Sequence, residues 1–122
     1  MPAKTILCVD DSPTQLLAMT QALVNLGHRV VTAGDGDEAL RQVAESGPDL
    51  VLLDVVLPKK NGFQVCRQIK NAVGTRNIKV VLVTSKDQQS DRFWGLKQGA
   101  DDYVTKPVDP ETLAELVARQ LE

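Results

Sequence analysis

The sequence predicts a three-layer α/β domain built on a parallel sheet. Its 122 residues are enough for one domain with one core. Five short, β-branched runs alternate along it with five longer segments of helical period. Two of those runs, Leu50–Leu53 and Val80–Val83, are apolar at every position, as strands covered on both faces must be. Strand-then-helix units joined by right-handed crossovers give a parallel sheet with helices on both sides.

Each element carries its own signal. Thr5–Val9 reads as the first strand. Ser12 can N-cap the helix that follows, with Pro13 in its first turn, and Leu16, Met19, Leu23 and Leu26 recur at steps of three and four until Gly27. Arg29–Ala33 is a second strand, polar enough for an edge. Ala39, Leu40, Val43 and Ala44 make the second helical stripe, closed by Gly47-Pro48. After Leu50–Leu53, the stripe Phe63, Cys66, Ile69 and Val73 predicts a third helix stopped by Gly74. Lys79–Thr84 is the fourth strand, and Phe93, Leu96 and Lys97 mark a short fourth helix ended by Gly99. Asp102–Thr105 is a second polar, edge-type strand. Asp109-Pro110 then opens a last helix with the stripe Leu113, Leu116, Val117 and Leu121.

Composition excludes several classes. A hydrophobic share of 43% with a net charge of −2 is wrong for a disordered chain. No apolar run approaches the ~20 residues of a membrane span. Met-Pro-Ala-Lys leads straight into the first strand, leaving no room for a secretory leader. Two distant cysteines, Cys8 and Cys66, make no disulfide framework and read as buried small hydrophobes. Balanced charge gives no footprint for nucleic acid or an anionic membrane. The expectation is a cytoplasmic domain spanning residues 1–122, with neither as partner.

Ligands of open parallel sheets bind beyond the carboxyl ends of the strands, so the residues that end each strand matter most. The first strand ends at Asp10-Asp11, the third at Asp54 and the fourth at Thr84-Ser85, while the fifth runs into Lys106-Pro107. Solvated loop acids, or a second N-cap option for the first helix, would be the plain reading of Asp10-Asp11, but both follow an apolar strand directly. Asp54 has no such plain reading, because it interrupts the otherwise wholly apolar stretch Leu50–Leu57. A carboxylate held there is costly unless it is paired or bound to metal.

Three acids crowded on one rim repel one another, and a divalent cation relieves that repulsion. Hard oxygen donors with room for water favour Mg²⁺. The same set suits phosphoryl transfer to a carboxylate, since Asp is a covalent nucleophile in aspartyl-phosphate chemistry. Lys106 would neutralise the oxygens of the transferring group and Thr84 would hydrogen-bond one of them.

Four segments in this order and spacing resemble the receiver domain of bacterial two-component response regulators, the chemotaxis-regulator-like family. They are CVDDSP at Cys8–Pro13, LLDVVLPKKNGF at Leu52–Phe63, VLVTS at Val81–Ser85 and GADDYVTKP at Gly99–Pro107. The likeness implies a flavodoxin-like five-stranded parallel sheet of order 2-1-3-4-5 with five helices on its two faces. It also implies that Asp54 accepts phosphate from a histidine kinase or a histidine phosphotransfer domain. Asp10, Asp11, Asp54 and the backbone carbonyl of Val56 would hold Mg²⁺, and Thr84 and Lys106 would bind the phosphoryl oxygens. By the same likeness the Lys106–Pro107 peptide is cis, and Gly62 opens the third helix. Tyr103 matches the switch aromatic, which turns inward when Thr84 moves toward the phosphate.

Departures are few: Ser85 replaces a common Ala, and Val56 and Lys86 stand where the family tunes phosphoryl lifetime. The stretch DRFWGLKQGADDYVTKP is most similar to standalone receivers of twitching-motility and type IV pilus systems, or of related gliding and phototaxis systems. The expected function is therefore a phosphorylation switch without enzymatic output of its own, monomeric when unphosphorylated. Its output would be contact with another protein through the fourth helix, fifth strand and fifth helix. Acting as a phosphate sink for a shared kinase is an alternative, as is a receiver cut from a longer DNA-binding regulator. An Mg²⁺-dependent aspartyl-phosphate phosphatase fits less well, because its second Asp would fall at Val56. His28 is expected in a loop. Lys59-Lys60 is either a solvated loop tip or a patch steering an acidic donor, and Trp94 either fills the core or joins the output surface.

Overall fold

The wholly apolar runs become the interior strands of the sheet. The structure is a computed structural model that describes residues 3–122. Its elements are β1 (Thr5–Val9), α1 (Pro13–Asn25), β2 (Arg29–Ala33), α2 (Gly36–Ser46), β3 (Leu50–Leu53), α3 (Gly62–Asn71), β4 (Lys79–Thr84), α4 (Gln89–Lys97), β5 (Asp102–Thr105) and α5 (Pro110–Gln120). The strands lie in the order β2-β1-β3-β4-β5, and every pair is parallel. The two polar strands, β2 and β5, take the edges, as their composition predicts.

The period-2 alternation of each strand divides the core in two. Leu7, Val9, Val51, Leu53, Val80 and Leu82 face α2 and α3, packing on Ala39, Val43, Val65, Cys66 and Ile69. Ile6, Cys8, Leu50, Leu52, Val81 and Val83 face the opposite way, toward Leu23 of α1 and Leu113, Leu116 and Val117 of α5. Both cysteines are buried and unbridged, and burial pushes the Cys8 thiol up to about 12 and the Cys66 thiol up to about 11. Helix starts follow local chemistry: the side chains of Ser12, Asp35, Asn61 and Asp109 accept the backbone N–H three residues on. Gly47, at φ 54°, closes α2 in the left-handed conformation that glycine adopts without cost.

Four expectations are corrected. Val73 lies outside α3 and is 79% exposed, because the chain turns extended at Ala72, and the Thr75 hydroxyl donates to the Ile69 carbonyl at 2.7 Å. Leu26 is the turn residue after α1 and is exposed, and Ala44 falls on the solvent side of α2. The stripe read for α4 faces the wrong way: Phe93 is 64% exposed, Leu96 is exposed beside it, and the Lys97 ammonium lies 5.3 Å over the Phe93 ring. What α4 buries is Gly95. His28 does sit in a loop, but it is buried, and its Nδ1 accepts the Lys4 N–H at 3.3 Å.

Candidate functional site

The sheet's own ladder carries on past the strands and fixes the rim residues. Asp10 donates its N–H to Ala33 of β2 at 3.1 Å, Asp54 to Val9 of β1 at 3.0 Å and Lys106 to Thr84 of β4 at 2.8 Å. β1 leads outward to β2 and β3 leads the other way to β4, so Asp10 and Asp54 flank the point where strand order reverses. The Lys106–Pro107 peptide is cis.

Three of the predicted side chains meet there directly. Asp10 is 2% exposed and Asp54 is 8% exposed. The Lys106 ammonium lies between them, donating to Asp10 Oδ2 at 2.5 Å and to Asp54 Oδ2 at 3.0 Å. The other oxygens are held by the chain itself: Asp10 Oδ1 accepts from the Ser12 N–H at 2.9 Å, and Asp54 Oδ1 from the Val56 N–H at 3.3 Å. Burial pulls the Lys106 ammonium down, but the hydrogen bonds and charges of Asp10 and Asp54 outweigh it and hold its pKa above the ordinary lysine value.

Asp11 stands exposed at the mouth. One carboxylate oxygen each from Asp10, Asp11 and Asp54 lie within 4.8 Å of one another. Three carboxylates against one ammonium leave negative charge unbalanced. An all-oxygen donor set of that kind fits a hard divalent cation such as Mg²⁺ and not a thiolate- or imidazole-seeking metal.

Thr84 is fully buried, and its hydroxyl oxygen accepts the Lys86 N–H at 3.4 Å. The carbonyl of the same Lys86 accepts the Tyr103 hydroxyl at 2.7 Å. Two hydroxyls on neighbouring strands are thus tied to one peptide segment. Tyr103 is 3% exposed, and burial first, then the charges of Asp91, Asp54 and Asp87, push its hydroxyl up to about 12.

The loop between Asp54 and α3 is held on both sides. A Cβ on Gly62 would stand 2.2 Å from the Asp54 carbonyl oxygen, and one on Gly36 would stand 2.1 Å from that of Lys60. Lys59, at φ 69°, pairs with Asp35 at 3.6 Å, and Lys60 pairs with Asp37 at 3.7 Å. The Lys59-Lys60 run is a solvated loop tip, with Lys59 61% exposed, whose charge is partly matched by the start of α2. Trp94 is half exposed on α4, which takes it out of the core.

Residues 6–118 match the response regulator receiver domain. The chain belongs to that family. This receiver is 46% identical over 112 residues to Protein PilH of Pseudomonas aeruginosa, across 92% of this chain and 93% of that one. It is 41% identical over 107 residues to the alkaline phosphatase synthesis transcriptional regulatory protein PhoP of Bacillus subtilis, across 88% of this chain but only 44% of PhoP. Among solved structures, the chemotaxis response regulator CheY4 of Vibrio cholerae matches with a TM-score of 0.92 at 28% identity, covering 98% of this receiver and all of CheY4. Receiver domains are signalling domains that take phosphate from histidine kinases and bind Mg²⁺ at an acidic pocket.

Sequence reasoning missed three features of the site. The Lys86 peptide link runs through backbone atoms, which no side-chain pattern reports. The Gly95–Tyr103 approach is signalled only by a glycine inside a helix, a position that ordinarily costs ~1 kcal/mol relative to Ala and so asks for a reason. The Gly36–Lys60 approach is signalled only by a glycine at the first position of α2.

Proposed function

We propose that this protein is a phosphorylation-driven switch, acting as a single receiver domain over residues 1–122, and that Asp54 accepts a phosphoryl group from a histidine kinase or histidine phosphotransfer domain. The observation that carries this is the Lys106 ammonium held in common by Asp10 and Asp54, with Asp11 beside them. A carboxylate so placed is oriented and faced by a cation that can turn to an incoming phosphoryl group.

The phosphorus–nitrogen bond of the donor breaks as a bond forms between phosphorus and an Asp54 carboxylate oxygen, and the electron pair leaves with the donor imidazole. Asp10, Asp11, Asp54 and the Val56 carbonyl are the residues that would hold Mg²⁺, which when bound supplies positive charge to the phosphoryl oxygens. Lys106 follows the new negative charge from Asp54 to the phosphoryl group. The Thr84 hydroxyl donates to another phosphoryl oxygen, giving up its present bond to the Lys86 N–H. That disturbs Lys86, the residue whose carbonyl holds Tyr103, so the chemistry reaches the α4–β5–α5 face.

The exposed Phe93, Trp94 and Leu96 of α4 favour an output by protein contact over a phosphate sink. The likeness to PilH along nearly the whole of both chains, and the DRFWGLKQGADDYVTKP stretch, support a cytoplasmic role in type IV pilus motility or chemotaxis-like signalling. The test is transfer from a phosphorylated histidine phosphotransfer domain. Radiolabel should move to this receiver with Mg²⁺ and stay on the donor with EDTA. Equal transfer in both would overturn the metal assignment.

A further inference from the structure

α4 is held to the sheet in an unusual way. It is nine residues long, and the only residue it buries among those described is a glycine, Gly95. Its large apolar side chains, Phe93, Trp94 and Leu96, point to solvent. Glycine in a helix interior is disfavoured against alanine, and α4 is too short to absorb that without a reason. The reason lies directly beneath. A Cβ built on Gly95 would stand 2.7 Å from Leu82 Cδ1, 2.9 Å from Tyr103 Cδ2 and 3.1 Å from Tyr103 Cε2. Leu82 Cδ1 and the ring of Tyr103 together occupy the space that any other residue at position 95 would need.

We infer that Gly95 is the positioning residue that seats Tyr103 inward, and that a single methyl group added there turns the ring out to solvent without touching the phosphoacceptor site. The two atoms in the way differ in their freedom. Leu82 Cδ1 is enclosed while the ring is in place, but Leu82 pairs with Tyr103 across β4 and β5 and can shift into the space the ring leaves. Tyr103 lies on β5, the edge strand, so a change of its χ1 rotamer carries the ring past α4 into water. What it gives up is the hydroxyl bond to the Lys86 carbonyl and the burial of its ring. The Arg92 guanidinium donates to the Tyr103 carbonyl at 2.6 Å, which fixes the backbone and leaves the side chain to move.

This inference rests on the proposed switch only for its consequence, that an outward ring would hold the α4–β5–α5 face in one state whether or not Asp54 carries phosphate. The seating itself is measurable without phosphate. Tyr103 is the only tyrosine of the chain, so its ionisation can be followed by ultraviolet difference absorbance with no other tyrosine contributing. Inward, faced by Asp91, Asp54, Asp87 and Arg92, its hydroxyl titrates at about 12. Turned to water, it should titrate near the ordinary value of about 10.

The experiment compares wild type, Gly95→Ala, Tyr103→Ala and the double variant, each with and without beryllofluoride. Gly95→Ala should titrate roughly a hundredfold more readily in proton concentration, lose ring-to-Leu82 nuclear Overhauser contacts and still accept phosphate at the wild-type rate. A Gly95→Ala protein whose ring keeps those contacts and its high titration would overturn the inference. Should Gly95→Ala fail to fold, the Tyr103→Ala background decides. There Leu82 can move into the space the ring has vacated and admit the added methyl, so the double variant should melt above Tyr103→Ala, and melting below it would overturn the inference. If wild-type Tyr103 does not respond to beryllofluoride while Gly95→Ala still moves the ring, the switch reading falls and the seating stands.

Discussion

Lys106 concentrates the physics of the site in one side chain. It is the sole ammonium within reach of two buried carboxylates among the described residues, at 2.5 and 3.0 Å. Removing one partner of such an arrangement leaves uncompensated buried charge, which typically costs about 3–5 kcal/mol. Lys106→Ala should therefore lower unfolding stability by an amount of that order in EDTA, and Mg²⁺ should restore much of it; urea melts in the two buffers check this. Asp11 has the opposite character. It adds a third negative charge without a cation of its own, so Asp11→Ala should leave stability in EDTA unchanged or slightly raised, while abolishing the stabilisation by Mg²⁺. A fall in stability in EDTA would mean that Asp11 has a structural partner instead. At this scale the sequence was most legible where a residue contradicts its surroundings. Asp54 stands out because its neighbours on both sides are apolar. The pairing of Lys59 and Lys60 with Asp35 and Asp37 was hidden because the partners are brought together by the packing of two loops.

At the scale of elements, the informative case is α4 against β5. Thr84 and Tyr103 hold the N–H and the carbonyl of one residue, Lys86, so a shift of the Thr84 hydroxyl toward an oxyanion alters what holds the ring. Two or three charge-assisted hydrogen bonds, each worth ~1.5–3 kcal/mol, are enough to bias an element whose two states differ by a few kcal/mol. Beryllofluoride at Asp54 should narrow Tyr103 to its inward position, read as slowed ring exchange and shifted ring resonances. Lys106→Ala should bind phosphate and leave those resonances unmoved. All five strands were legible to the residue because a β-branched run bounded by turns states its own limits. α4 was not: its spacing of apolar residues pointed to a face that the structure exposes, since the buried face carries a glycine and no periodic side chain.

For the molecule as a whole, parallel strands bring every functional residue to one rim, which is why a chain of this size can hold a site drawn from β1, β3, β4 and β5. Stability at high pH reads the same architecture through its single tyrosine. The Tyr103 hydroxyl is pushed up to about 12 in the fold, mainly by burial, and returns to about 10 when the chain unfolds. The folded state then holds the proton more tightly. Its stabilising contribution is complete below about pH 10 and is lost as pH rises toward 12. Tyr103→Phe should flatten that part of the pH–stability curve, measured by denaturant melts at successive pH values. Helices on both faces cover the interior strands β1, β3 and β4, and unphosphorylated protein should sediment as a 13.3 kDa monomer. A concentration-dependent dimer without phosphate would contradict that.

The central claim is that Asp54 is the phosphoacceptor, and intact mass after incubation with acetyl phosphate and Mg²⁺ tests it most directly. Wild type should gain one phosphoryl group, lost again in hydroxylamine as an acyl phosphate must be. Asp54→Asn, which keeps the shape of the side chain and removes its nucleophilic charge, should gain none. A full phosphoryl group on Asp54→Asn would contradict the account.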